Sequence, residues 1–163
     1  MPNSAKIWDS ILGSRFTYTS RPDPISGDLR LSWGISILLL SLFFSRRQTS
    51  NFQKLQFMTH AVLSPEGRHE IRGLLSGEYS PREVSVRVEP SLNRAVALSS
   101  ALKLVSVEKG RSIKLTAAGE KLAEEIAGER SGALEVEANF LREVAPKMTD
   151  ALMKKVWRLE DIQ

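Results

Sequence analysis

The chain contains no cysteine. That excludes a disulfide framework, a thiolate zinc site and a nucleophilic thiol, and it fits a reducing cytoplasm. Histidine is almost as scarce. His60 and His69 stand nine residues apart with no matching carboxylate pattern, so they read as surface or satisfied core side chains rather than metal ligands. Also missing are a glycine-rich phosphate loop ending in Lys-Ser/Thr, a Gly-x-Ser-x-Gly elbow and a His-Glu-x-x-His pair. The sequence thus offers no catalytic constellation, no metal site and no cofactor site, and the expectation is a protein that is not an enzyme. The acids Glu120, Glu124, Glu125 and Glu129 read as the solvated face of one helix, with Lys121 interspersed.

No apolar run is long enough to span a bilayer. The longest, residues 33 to 44 (WGISILLLSLFF), is twelve residues, where spanning takes about 20. A membrane anchor at this run fails on length and on the lack of a second anchor beside it. The first residues, MPNSAKIWDSILG, do not read as a secretory signal. What the chain does have is the balance of a folded protein, with 42% hydrophobic and 26% charged residues over 163 positions. The net charge of +4 is unevenly spread: basic against acidic residues number 6 to 3 in 1–50, 10 to 6 in 51–116 and 7 to 10 in 117–163. The basic surface should lie in the first two thirds, where it permits nucleic-acid contact without demanding it.

Four stretches follow from periodicity and punctuation. Residues 1–28 read as an arm, with the apolar cluster Ile7, Trp8, Ile11 and Leu12 and with Pro22 and Pro24 forbidding a helix. Residues 29–90 read as a helical half that ends in a strand. A helix over 31–44 is apolar all round and therefore belongs in the interior. Ser50 or Asn51 caps the next helix, which carries Phe52, Leu55, Met58 and Val62; Ser64-Pro65 starts a third, and Gly77 stops it. Val84, Val86 and Val88 then alternate with polar residues as in a half-buried strand ended by Pro90.

In the third stretch, residues 91–129, Ser91 caps a helix through Leu102. Strands at 104–108 and 112–115 flank the turn Lys109-Gly110-Arg111, and Thr116 caps a further helix in which Gly119 permits close packing. Helix, hairpin, capped helix is the order in which a winged helix presents its wing. The predicted fold is mainly α with a small β component, an α+β winged helix-turn-helix core that can be read as two winged-helix-like halves plus carboxy-terminal helices. In the last stretch, 130–163, Leu134, Ala138, Leu141 and Val144 form one apolar stripe, and Met148, Leu152, Val156 and Leu159 form another beyond Pro146.

Two candidate surfaces result. Arg94, Lys103, Lys109, Arg111 and Lys114 lie on or beside the wing, where they could meet phosphates or a partner protein. Ile7, Trp8, Ile11, Leu12, Leu134, Leu141, Leu152 and Val156 are apolar groups on the terminal segments suited to partner binding.

The leading apolar helix after Arg21-Pro22, the Lys54-Leu55 helix, the Leu74-Leu75-Ser76-Gly77 stop, the run Pro90-Ser91-Leu92-Asn93-Arg94-Ala95 and the Leu115-Thr116-x-x-Gly119 junction together resemble one family. It is the middle component of ABC-three-component, Lamassu-type bacterial anti-phage systems, and the resemblance covers about residues 20 to 128. It implies a cytoplasmic, non-enzymatic adaptor that joins an SMC-like ATPase to an effector, often a nuclease, with DNA reached through the complex and no membrane role. The competing reading is a free-standing winged-helix transcription regulator. Against it, the helix over 91–103 offers little beyond Asn93, Arg94 and Lys103 to read bases.

Overall fold

A computed structural model of the chain describes residues 27–84, 87–108, 111–129 and 132–157. Seven helices lie along them: α1 Gly27–Phe44, α2 Phe52–Val62, α3 Pro65–Ser76, α4 Pro90–Ala101, α5 Ala117–Gly128, α6 Glu135–Val144 and α7 Asp150–Trp157. Three short strands, β1 Thr49–Asn51, β2 Val105–Glu108 and β3 Ser112–Leu115, form one antiparallel sheet in the order β1-β3-β2. The protein is therefore mainly helical with a small sheet, as the α+β expectation had it.

Helix α1 is the hub. Ile37, Leu38, Leu39, Leu40 and Leu42 are all at most 1% exposed, and five such residues within six positions point to every side of a helix. Only an element surrounded by others can bury that pattern, and α1 is flanked by α2, α4, α5 and α6. The punctuation read from the sequence sets the neighbouring elements. The Asn51 side chain accepts from the Lys54 N–H at 2.8 Å and so caps α2. Ser64 caps α3 through the Gly67 N–H, with Pro65 in the first turn. Gly77, at φ 82°, ends α3 in the left-handed region that a residue lacking Cβ adopts freely.

The sheet differs from the expected one. The stretch around Val84 and Val88 forms no strand among its described residues; Val88 is 61% exposed and meets no described strand edge. Period-two patterning assigns faces, but a strand exists only where a partner edge supplies its hydrogen bonds. The strand that does complete the sheet is β1, three polar residues (TSN) too short to show any alternation. It pairs in register Thr49 with Lys114, Ser50 with Ile113 and Asn51 with Ser112. The two regions are joined: β1 from the first is hydrogen-bonded to β3 from the second, and one apolar core runs from Ile37 to Val156.

The carboxy-terminal helices belong to that core. Leu141 is 0% and Val156 1% exposed, and Leu134 and Leu152 are partly buried against the same cluster. The predicted partner-binding stripe is thus consumed within the chain, because α6 lies against α1, α2 and α3. Its polar edge adds ties. Arg72 of α3 reaches Glu143 through Nε at 2.9 Å and Nη2 at 2.8 Å and lies over the Phe140 ring, while Arg142 lies over Phe44. Leu159 and the cluster Ile7, Trp8, Ile11 and Leu12 lie outside the described residues.

Candidate functional site

The α4–hairpin region is assembled from its base upward. Helix α4 is started by proline, not by a serine cap. Pro90 occupies the first turn, Glu89 is the N-cap without a side-chain cap bond, and Ser91 sits within the helix. The position expected of Ser91 is taken because Pro90 already has helical φ and needs no partner for a missing N–H. Glu89 is instead gripped by α2. Its N–H donates to Gln56 Oε1 at 2.7 Å, Gln56 Nε2 donates to its carbonyl at 3.4 Å, and His60 Nδ1 lies 3.6 Å from its carboxylate. Gln56 is buried, so this pairing satisfies an amide that would otherwise be costly to desolvate and sets where α4 begins.

Leu92, Ala95 and Ser99 face the core, which turns Asn93, Arg94, Ala97, Ser100 and Ala101 to solvent. Arg94 also lines a groove of about 510 Å³ with Arg30, Leu31, Gly34, Pro90 and Ser91. The helix ends at Leu102, which is 56% exposed, and Lys103 follows in a left-handed conformation at φ 58°.

The base of the hairpin is locked by Thr116. Its hydroxyl lies 2.6 Å from the Lys103 carbonyl and 3.1 Å from that of Leu104, and it accepts from the Gly119 N–H at 3.1 Å. Gly119 cannot carry a side chain here, since a Cβ would lie 1.9 Å from the Leu104 carbonyl oxygen. Leu115 and Ile113 point inward with Val105. On the opposite face, Lys114 stands between Thr49 and Ser106, and Ser112 stands between Asn51 and Glu108. Val107, on the inward face but beyond the reach of the core, is 46% exposed.

The predicted basic residues fall on several elements. Arg94 belongs to the groove beside α1, Lys103 to the hairpin base, Arg111 to the turn and Lys114 to the outer sheet face; Lys109 lies outside the described residues. Among the described residues, none of Arg94, Lys103, Arg111 and Lys114 stands within ion-pair distance of a carboxylate. Sequence reasoning missed Arg46 and Arg47, both exposed immediately before β1. A three-residue strand left no signal by which to place them at the sheet.

Charged side chains elsewhere are engaged structurally. The Lys54 ammonium, hydrogen-bonded to Asp150 at 2.8 Å, is the main cause that holds that carboxyl below its usual range, and Asn51 adds a bond at 3.1 Å. The Arg72 hydrogen bond does the same for Glu143. Glu83, lowered chiefly by the Ser80 N–H at 2.6 Å, shares an open concavity of about 470 Å³ with Glu66, His69, Glu70 and Tyr79. Glu120, Glu124, Glu125 and Glu129 are all exposed. Among the described residues, no group of three or more His, Asp or Glu side chains is placed to hold a metal ion, and no helix is long and apolar enough to cross a membrane. No protein-family model, curated protein or solved structure matches this chain.

Proposed function

We propose that the chain is a non-catalytic winged-helix adaptor, cytoplasmic, that joins an SMC-like ATPase to an effector, a nuclease in the simplest case, within a bacterial anti-phage complex. Two things support the winged-helix part: the element order α1, β1, α2, α4, β2, β3, with α3 inserted before α4, and the strand order β1-β3-β2. The resemblance to the middle component of Lamassu-type systems supplies the biological setting. With Leu141 and Val156 buried, the proposed partner surface is α4 and the hairpin in place of the carboxy-terminal helices.

The observation that carries the adaptor reading is the outward face of α4. Beyond Asn93 and Arg94 it presents Ala97, Ser100 and Ala101 and ends at the exposed Leu102, with Val107 exposed on the following strand. Reading base edges requires several Arg, Lys, Asn or Gln side chains along such a helix, and residues 97–102 offer none; the exposed apolar side chains of Leu102 and Val107 suit the apolar centre of a protein interface instead. The test is co-purification with the products of neighbouring genes. Ala97→Arg and Leu102→Asp should each release the partner while leaving the chain folded. A complex that survives both, with the ATPase retained, overturns the reading.

Asn93 and Arg94, in the amino-terminal half of α4, favour a second reading as a free-standing DNA-binding regulator, since recognition helices present base-contacting groups there. Enrichment of one sequence from random duplexes, lost on Arg94→Ala, would support it.

A further inference from the structure

We propose that the outer face of the sheet, together with Arg46 and Arg47, is a second binding surface, for the sugar-phosphate backbone of a nucleic-acid duplex. It lies on different residues from the partner face on α4, so the two surfaces can succeed or fail separately.

The face is built from register. Thr49, Lys114 and Ser106 form one row across the three strands, and Asn51, Ser112 and Glu108 form the next. Ser106, Ser112 and Lys114 offer two hydroxyls and an ammonium, side-chain types that contact phosphate and sugar oxygens, while Thr49 and Asn51 are held by Arg47, Lys54 and Asp150 within the chain. None of the six is apolar, so the face lacks the anchors that a protein interface centres on. Nor does it present an aromatic ring on which the bases of a single strand could stack. A charged, rigid backbone is the occupant these groups suit.

The backbone before β1 carries the second observation. Arg47 (φ 59°) and Gln48 (φ 52°) are consecutive non-glycine residues in the left-handed region, where such residues are uncommon and persist only when their surroundings hold them. Here they are held at four points. Gln48 N–H donates to Ser45 O at 3.0 Å, Thr49 N–H donates to Arg46 O, Thr49 Oγ1 donates to Arg47 O at 3.1 Å, and Gln48 Nε2 donates to Glu120 Oε1 at 2.7 Å. The kink turns the chain from α1 into β1 while leaving both guanidinium-bearing residues exposed, and neither they nor Lys114 has a described ion-pair partner. Of the nearby acids, Asp150 is paired with Lys54, whereas Glu120, which accepts from the neutral Gln48 amide, keeps its charge, so Glu108 and Glu120 are the opposing charges beside the face.

The experiment measures binding of the full chain to a mixed-sequence 20-base-pair DNA duplex by fluorescence anisotropy across a salt series, with an RNA duplex, a single strand and polyglutamate as further arms. Three phosphate contacts predict that a fourfold rise in salt weakens binding about 40-fold. Arg46→Gln/Arg47→Gly/Lys114→Gln should remove most of that dependence, whereas the pair Lys154→Gln/Lys155→Gln, two cations removed on α7, should leave it unchanged. Arg47→Gly alone separates charge from fold: glycine accepts the left-handed backbone, so the melting temperature should hold or rise while affinity falls severalfold. Comparable binding of DNA and RNA duplexes supports backbone recognition. Equal losses in the α7 pair, or tighter binding to the single strand or to polyglutamate than to the duplex, overturn it. If duplex binding disappears while Leu102→Asp still governs co-purification, this inference fails and the adaptor reading stands.

Discussion

The carboxy-terminal helices and the β2–β3 hairpin both looked like detachable, partner-facing elements, yet the fold uses them in opposite ways. Helices α6 and α7 spend their apolar stripes on the chain's own core: Phe140, Leu141, Val144, Met153 and Val156 are at most 1% exposed. The hairpin contributes Val105, Ile113 and Leu115 to that core and presents its other face, polar throughout, to solvent. An apolar stripe at helical spacing shows that something covers it, not whether the cover is another part of the same chain. Substitutions in the helices should therefore act on stability, and those on the outer hairpin face on binding.

The largest effect should come from α1, on which both regions rest. Leu39→Asp places a charge where exposure is 0%, and soluble expression should be lost. Leu141→Ala tests the helices directly. It should cost about 2–5 kcal/mol in denaturant unfolding, and a variant of unchanged midpoint would mean that α6 is peripheral after all. At the hairpin base, Gly119→Ala forces a Cβ against the Leu104 carbonyl and should cost about 1–3 kcal/mol through the backbone shift it imposes, with Thr116→Ala costing about 1 kcal/mol as a lost cap. On the outer face, Lys114→Gln should change stability by less than about 0.5 kcal/mol. If it destabilises as much as Leu141→Ala, the contrast between the two regions is wrong.

The smallest expected effect is one of pH. Asp150 has its folded-state pKa depressed, above all by the hydrogen bond from Lys54, so the stability it adds is present above the unfolded value of about 3.9 and is lost as pH falls through the folded value. The pair is solvent-exposed on the Asp150 side, at 70%, which keeps its contribution to well under about 1 kcal/mol. Asp150→Asn should therefore flatten the acid limb of the stability curve slightly and leave stability near pH 7 almost unchanged.

Much of this architecture was legible in the sequence. The all-round apolar run, the Asn51, Ser64 and Thr116 caps, the Gly77 stop and the hairpin around residues 109–111 are local signals, each enforced by the conformational preferences of a few adjacent residues. Three features were decided only by tertiary structure, for one physical reason. β1 exists because β3 offers Thr49, Ser50 and Asn51 a hydrogen-bonding edge, whereas residues 84 and 87–89 show no ladder despite their better alternation. Leu141 is core because α1, α2 and α3 stand around α6, and Val156 because α7 packs on α2. Arg46 and Arg47 flank the sheet because the held left-handed kink delivers them there. Local preference acts within a turn or a cap, but pairing and burial depend on which distant surface arrives, and no short window of sequence contains that surface.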